Sequence, residues 1–127
     1  MAPSCFSGNG SIWRTDFVAG YRFPDGPYDA IKPESGVADI KVPWEYGRMQ
    51  YLLPLAAAFR QTGDARFLDC YRAKVGSFAS VNPMGRGVQW TCTMEVGIRV
   101  FIRAVAVRAL RGRPNAYGDC GACFLPW

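Results

Sequence analysis

The tripeptide Thr62-Gly63-Asp64 limits the possible folds of this chain more than any other feature. It joins two stretches with helical apolar periodicity. Before it, Trp44, Met49, Leu52, Leu55, Ala56 and Phe59 mark one face of a helix starting near Pro43–Trp44. After it, Phe67, Tyr71, Val75 and Phe78 recur at spacings of four, four and three, with Leu68 beside them. A glycine ends a helix readily because it enters the left-handed region without strain. An aspartate caps the next helix by accepting from its free N–H groups. Helices joined this tightly pack antiparallel. Pro54 interrupts the first stretch and predicts a kink or split around Leu53. Asn82-Pro83 should end the second helix.

A third helix is expected from about Thr91 to Arg111. Val96, Ile98, Val100, Phe101, Ile102 and Val107 make it apolar round much of its circumference, which predicts burial on several sides. No hairpin pattern stands out, so the fold class is all-α, built from helix hairpins. Residues 1–43 are punctuated by Gly and Pro but carry Trp13, Phe17, Tyr21, Phe23 and Tyr28. Disordered linkers are poor in aromatics. The stretch therefore reads as an extended arm whose rings pack on a helical body at 44–112. Residues 113–127 form an irregular tail.

Composition excludes several chemistries. The chain has no His, which removes Ser-His-Asp and Cys-His catalysis and His-ligated zinc. Cys5, Cys70, Cys92, Cys120 and Cys123 are odd in number and irregular in spacing, unlike a disulfide framework. Cys120-Gly-Ala-Cys123 is a lone CxxC without a second ligand pair, so no metal and no cofactor is expected. Residues 1–95 hold 10 Lys/Arg against 9 Asp/Glu, whereas 96–127 hold five Arg and one Asp. The arginines at 99, 103, 108, 111 and 113 do not interleave with aromatics, which speaks against nucleic acid as a partner. The longest apolar runs fall short of the roughly 20 residues a membrane span needs. The opening MAPSCFSGNG lacks the basic-then-apolar pattern of a signal peptide, so any export signal would lie upstream.

The stretch GRGVQWTCTMEVGIR, Gly85 to Arg99, sets a large aromatic, a carboxylate and a guanidinium at near-helical spacing. Glu95 lies four residues before Arg99, so the two can pair on the helix surface. Such a group serves either as a packing clamp between helices or as a sugar-binding face. In the second case Trp90 stacks on a pyranose ring and Arg99 holds a carboxylate or sulfate. Arg86 and Gln89 in the preceding turn are further candidates for sugar contact. Trp44, Glu45 and Arg48 repeat the combination at the start of the first helix, with the same two readings. Tyr46 and Tyr51, with ordinary phenol pKa near 10 and no partner His, are poor candidates for acid or base.

Three stretches in series carry a family resemblance: IWRTDFVAGYRFP (Ile12–Pro24), ADIKVPWEYGRMQYLLPLAAAFRQTGD (Ala38–Asp64) and NPMGRGVQWTCTMEVGIR (Asn82–Arg99). Together they resemble the N-terminal toroid domain of heparinase II/III-like polysaccharide lyases, which include related alginate lyases. The resemblance implies that residues 44–112 form part of an incomplete α/α toroid. It implies an acidic-polysaccharide partner, heparan- or alginate-like. It also implies cleavage by β-elimination: a base takes the C5 proton of a uronic acid and the C4 oxygen leaves. In that family the neutralising Asn, the catalytic Tyr and the His residues lie mainly downstream of the third stretch, so no catalytic residue is expected here. Trp44, Glu45, Arg48, Arg86, Gln89, Trp90, Glu95 and Arg99 are the residues expected at the substrate cleft. The intact parent is expected to be periplasmic or secreted. The pattern fades after Arg99, and RALRGRPNAYGDCGACFLPW has the composition of an out-of-frame reading of a GC-rich gene. The expectation is therefore a truncated or frameshifted lyase fragment, inactive alone. The alternative is a non-catalytic carbohydrate-binding or scaffold protein derived from the toroid. Helix faces made for absent neighbours would favour self-association.

Overall fold

The computed structural model describes residues 10–32 and 36–111 of the 127. They are mostly helical: α1 (Lys41–Gly47), α2 (Leu52–Thr62), α3 (Ala65–Val81) and α4 (Thr93–Leu110). Single 3-10 turns lie at Gly10–Arg14, Tyr28–Ala30 and Val88–Trp90. Two short antiparallel strands, β1 (Thr15–Asp16) and β2 (Tyr21–Arg22), pair Thr15 with Arg22 and Asp16 with Tyr21. The expectations for 113–127, and for Cys5, Cys120 and Cys123, fall outside the described residues.

The α2–α3 junction forms by the chemistry of its three residues. Gly63 has φ 70° and donates its N–H to Phe59 O at 2.8 Å. Asp64 Oδ1 accepts from Arg66 N at 2.9 Å. Leu52, Ala56 and Phe59 of α2 then meet Leu68, Tyr71, Val75 and Phe78 of α3 in one core, closed by Ala106 and Leu110 of α4. Asn82 ends α3 with its N–H on Phe78 O.

The first expected helix is two helices. α1 begins at Lys41, earlier than Pro43, with Asp39 Oδ1 accepting from Lys41 N at 2.9 Å. The break falls at Arg48–Tyr51, upstream of Leu53. The reason is the proline's reach: Pro54 has no N–H and its ring blocks the carbonyl one turn back, at Gln50. The chain answers with tighter bonds, Leu52 N to Met49 O and Leu53 N to Gln50 O. Pro54 itself then sits in the first turn of α2, where a missing N–H is harmless. Met49 takes the left-handed conformation, φ 59°, although it is fully buried.

α4 corrects the expectation of burial on several sides. Its inward stripe is Glu95, Arg99, Ile102, Arg103, Ala106 and Leu110. Its outward face carries Met94 at 63% and Phe101 at 69% exposed, with Val100 and Val105. Charge faces in and apolar surface faces out because Glu95 and Arg99 have partners, described below.

The arm is built into the body. Trp13 is buried against Tyr46 and Phe78, and its Nε1 donates to Ser77 Oγ at 3.0 Å. Asp16 organises the hairpin: Oδ1 accepts from Val18 N and Ala19 N, and Oδ2 from Asp39 N. Phe23 and Ile31 join Ile40 and Val88 in a second small core. Gly87 N donates to Gly26 O and Tyr28 N to Gly85 O, so the arm runs beside the 82–90 loop.

Candidate functional site

The sequence-predicted residues divide into two groups. Gln89 and Arg99, with Gly47 beneath them, form an interior clamp. The turn Val88–Trp90 aims Gln89 inward, where it is 0% exposed. Its Nε2 donates to Trp13 O at 2.7 Å and Pro43 O at 2.6 Å. Its Oε1 accepts from Arg99 Nη2 at 2.9 Å. Arg99 Nε donates to Gly47 O at 2.7 Å, and Nη2 also reaches Gln89 O at 3.1 Å. The approach requires a glycine: a Cβ on Gly47 would lie 2.0 Å from Gln89 Oε1. Arm, α1, turn and α4 thus meet at one amide. Burial pulls the Arg99 guanidinium down to about 10, with Glu95 partly opposing the effect. Its faces rest on aromatic rings, 4.6 Å from the Phe78 centroid and 5.7 Å from that of Trp90.

Glu95 does not pair with Arg99, as the four-residue spacing predicted. It takes both oxygens to Arg48, Nε to Oε2 at 2.7 Å and Nη2 to Oε1 at 2.6 Å. A fork-to-fork pair across α1 and α4 satisfies both oxygens of a carboxylate that is 1% exposed. The bond to Glu95 holds the Arg48 pKa above the usual value. Trp44 Nε1 donates to Val88 O and Thr91 Oγ1, tying α1 to the same turn. Glu45 is exposed. Arg86 is brought to the arm instead, sharing Asp25 with Arg14 at 3.7 and 3.2 Å.

Trp90, of the predicted residues, opens onto a cleft. The hollow measures about 270 Å³ and is lined by Phe78, Asn82, Met84, Trp90 and Arg103, among others. Trp90 Nε1 donates to Asn82 O at 3.2 Å, which fixes the indole at the rim. Asn82 Nδ2 donates to Phe78 O at 3.0 Å. Its Oδ1 is buried without a hydrogen-bond partner among the described residues, and so is Arg99 Nη1. Arg103 lines the cleft with its pKa lowered by burial. The hollow thus brings an aromatic plane and a guanidinium together, with the Asn82 amide packed behind them.

Asn82, Arg103, Phe78 and Met84 also line the cleft, and no local motif marks them for it. The local pattern at Asn82-Pro83 marks only a helix stop. Arg103 lies four residues past Arg99, and this spacing was the available sign that both face inward. For proton transfer the described residues offer little. Lys74 Nζ donates to Tyr46 Oη at 2.9 Å. Burial pushes the Tyr51 phenol well above its usual value, with Tyr46 adding to the effect. Cys92 is a free thiol, and Cys70 is disulfide-bonded. Among the described residues no three His, Cys, Asp or Glu side chains form a metal-binding group, and no helix is long and apolar enough to cross a membrane. No protein family, curated protein or solved structure matches the chain.

Proposed function

We propose that this chain is part of the helical toroid of an acidic-polysaccharide lyase, and that by itself it binds uronate-containing sugar without cleaving it. The observation that carries the binding reading is the Trp90 cleft, with Arg103 and Asn82 on its walls. The lyase parentage rests on the three resembling stretches. β-Elimination needs a base at C5 and an acid at the leaving oxygen. The chain has no His to take either part, and the buried Tyr51 phenol is held neutral.

Heparan- and alginate-derived oligouronates titrated against the full chain, followed by tryptophan fluorescence, test the proposal. Saturable, salt-sensitive binding without the near-UV absorbance of an unsaturated product is expected. Trp90→Ala should weaken it by about tenfold, since stacking on one ring is worth roughly 1–3 kcal/mol by analogy with base stacking. No saturable binding to either sugar would end the binding reading. Appearance of unsaturated product would end the non-catalytic part.

A second reading, a scaffold protein derived from the toroid, is favoured by the interior use of Gln89, Glu95 and Arg99. Their polar groups are directed to the protein's own backbone and to Arg48. DNA downstream that encodes further helices with Asn, Tyr and His would decide for the lyase parent.

A further inference from the structure

We propose that the space above Gly87 is the binding site of one resident water molecule, which joins Arg14 of the arm to Asn82 at the end of α3. The site does not depend on the sugar reading. Gly87 has φ 86°, a conformation that glycine adopts freely. A Cβ built on it would meet Arg14 Nε and Asn82 Oδ1, each at 3.8 Å. Among the described residues outside 86–88, no other atom comes within 4 Å of that point. Both atoms are buried, and neither has a hydrogen-bond partner among the described residues. The residues are closed off as a whole, Arg14 being 7% and Asn82 2% exposed.

The bonds these side chains do make hold the two atoms in place. Arg14 Nη2 donates to Val81 O, and Nη1 pairs with Asp25 at 3.2 Å. The far edge of the guanidinium is thus held, with Nε toward Gly87. Asn82 Nδ2 donates to Phe78 O at 3.0 Å. That bond sets the amide the right way round, because a flipped amide would turn its oxygen onto the Phe78 oxygen. One donor and one acceptor therefore flank a single point without bonding to each other. The pair selects its occupant. An anion would face the Asn82 oxygen, and a metal cation would face the guanidinium. A group that accepts from Nε–H and donates to Oδ1 is a hydroxyl, and the enclosed space beside a glycine admits the smallest, water. Two buried polar groups left unpaired cost the fold more than holding one water still. The water is a second polar tie between the arm and the end of α3, beside the bond from Arg14 to Val81 O.

Two measurements on the full chain test the site. A high-resolution crystal structure should show one solvent peak within hydrogen-bond distance of both Arg14 Nε and Asn82 Oδ1. Magnetic relaxation dispersion of the water oxygen counts the waters that a protein holds for long in solution. That count should fall by one in Arg14→Lys and by one in Gly87→Ala. Arg14→Lys keeps a cation for Asp25 and Val81 O but has a methylene where Nε stood. Gly87→Ala puts a methyl group beside the water's place. Its left-handed backbone will also lower stability, so the count is the readout and not the melting temperature. Circular dichroism shows whether each variant is folded, and where one is not, the wild-type crystal structure alone decides. Three results would overturn the proposal: Arg14 Nε bonded directly to Asn82 Oδ1, a gap without a solvent peak that reaches both atoms, or an unchanged count in either folded variant.

Discussion

Gly47→Ala is the sharpest test of the clamp. On a helix surface this change stabilises by about 1 kcal/mol, because alanine loses less backbone entropy. Nothing in the backbone forbids it, since Gly47 lies in α1 and is not among the positive-φ residues. Space forbids it. The new Cβ would stand 2.0 Å from Gln89 Oε1, 2.5 Å from Cδ and 2.7 Å from Nε2. Gln89 is buried and must leave, abandoning its bonds to Trp13 O, Pro43 O and Arg99 Nη2. Each hydrogen bond contributes about 0.5–1.5 kcal/mol net, and each buried group left unpaired costs about 1–3 kcal/mol, so a loss of roughly 3–6 kcal/mol is expected. With the helix gain subtracted, the net loss is roughly 2–5 kcal/mol, a large share of the roughly 5–15 kcal/mol of a typical domain. Urea denaturation of wild type, Gly47→Ala, Gln89→Ala and the double variant measures it. The double variant should be no worse than Gln89→Ala, giving a coupling of about 2 kcal/mol or more between the sites. A Gly47→Ala protein as stable as wild type, or strictly additive losses, would refute the close approach.

The remaining predictions concern other parts of the fold. Arg48→Met strands the Glu95 carboxylate in the interior and should cost about 3–5 kcal/mol, partly recovered in Arg48→Met/Glu95→Gln; equal stability of the two in chemical denaturation would contradict the pairing. The Asp16 pKa is lowered by N–H bonds from Asp39, Ala19 and Val18. Its contribution is therefore present above the ordinary value of 3.8 and lost as pH falls through its lower folded value. Near-UV circular dichroism should report this acid loosening, and Asp16→Asn should flatten it. The outward face of α4 should drive self-association at high protein concentration, read by sedimentation velocity. Phe101→Glu should shift the distribution toward monomer without lowering stability, because Phe101 is 69% exposed.

What could be read from the sequence was what local chemistry decides. Gly63 and Asp64 dictate the junction whatever surrounds them, and the spacing of Phe67, Tyr71, Val75 and Phe78 places α3. Pro54 announced a break, but the break's position followed from the carbonyl it blocks and not from the proline itself. Glu95 shows where such reasoning stops. Spacing offered it Arg99, four residues on, while folding offered Arg48, 47 residues away, with both donors of its fork in line. The apolar content of α4 suggested a core helix, yet its phase runs through Glu95, Arg99 and Arg103, and phase decides which side is buried. The cleft at Trp90 needed Asn82, at the end of α3, brought to Arg103, in the middle of α4, which no local pattern encodes. Gly47 looked like any helix-end glycine until its neighbour across 42 positions was known.

The bond from Gln89 to Trp13 O spans 76 residues. During synthesis the arm is made first, but its anchor is not complete until Arg99 has been added. The α2–α3 hairpin can close early, from contacts near in sequence, whereas Trp13 must wait for a partner most of a chain length away. Until Phe78 has been made, an indole destined for the core lacks its packing partner. A ribosome pausing before residue 89 would leave the Trp13 carbonyl without its amide partner, so the arm would be held by contacts such as those of its indole with Tyr46, Ser77 and Phe78.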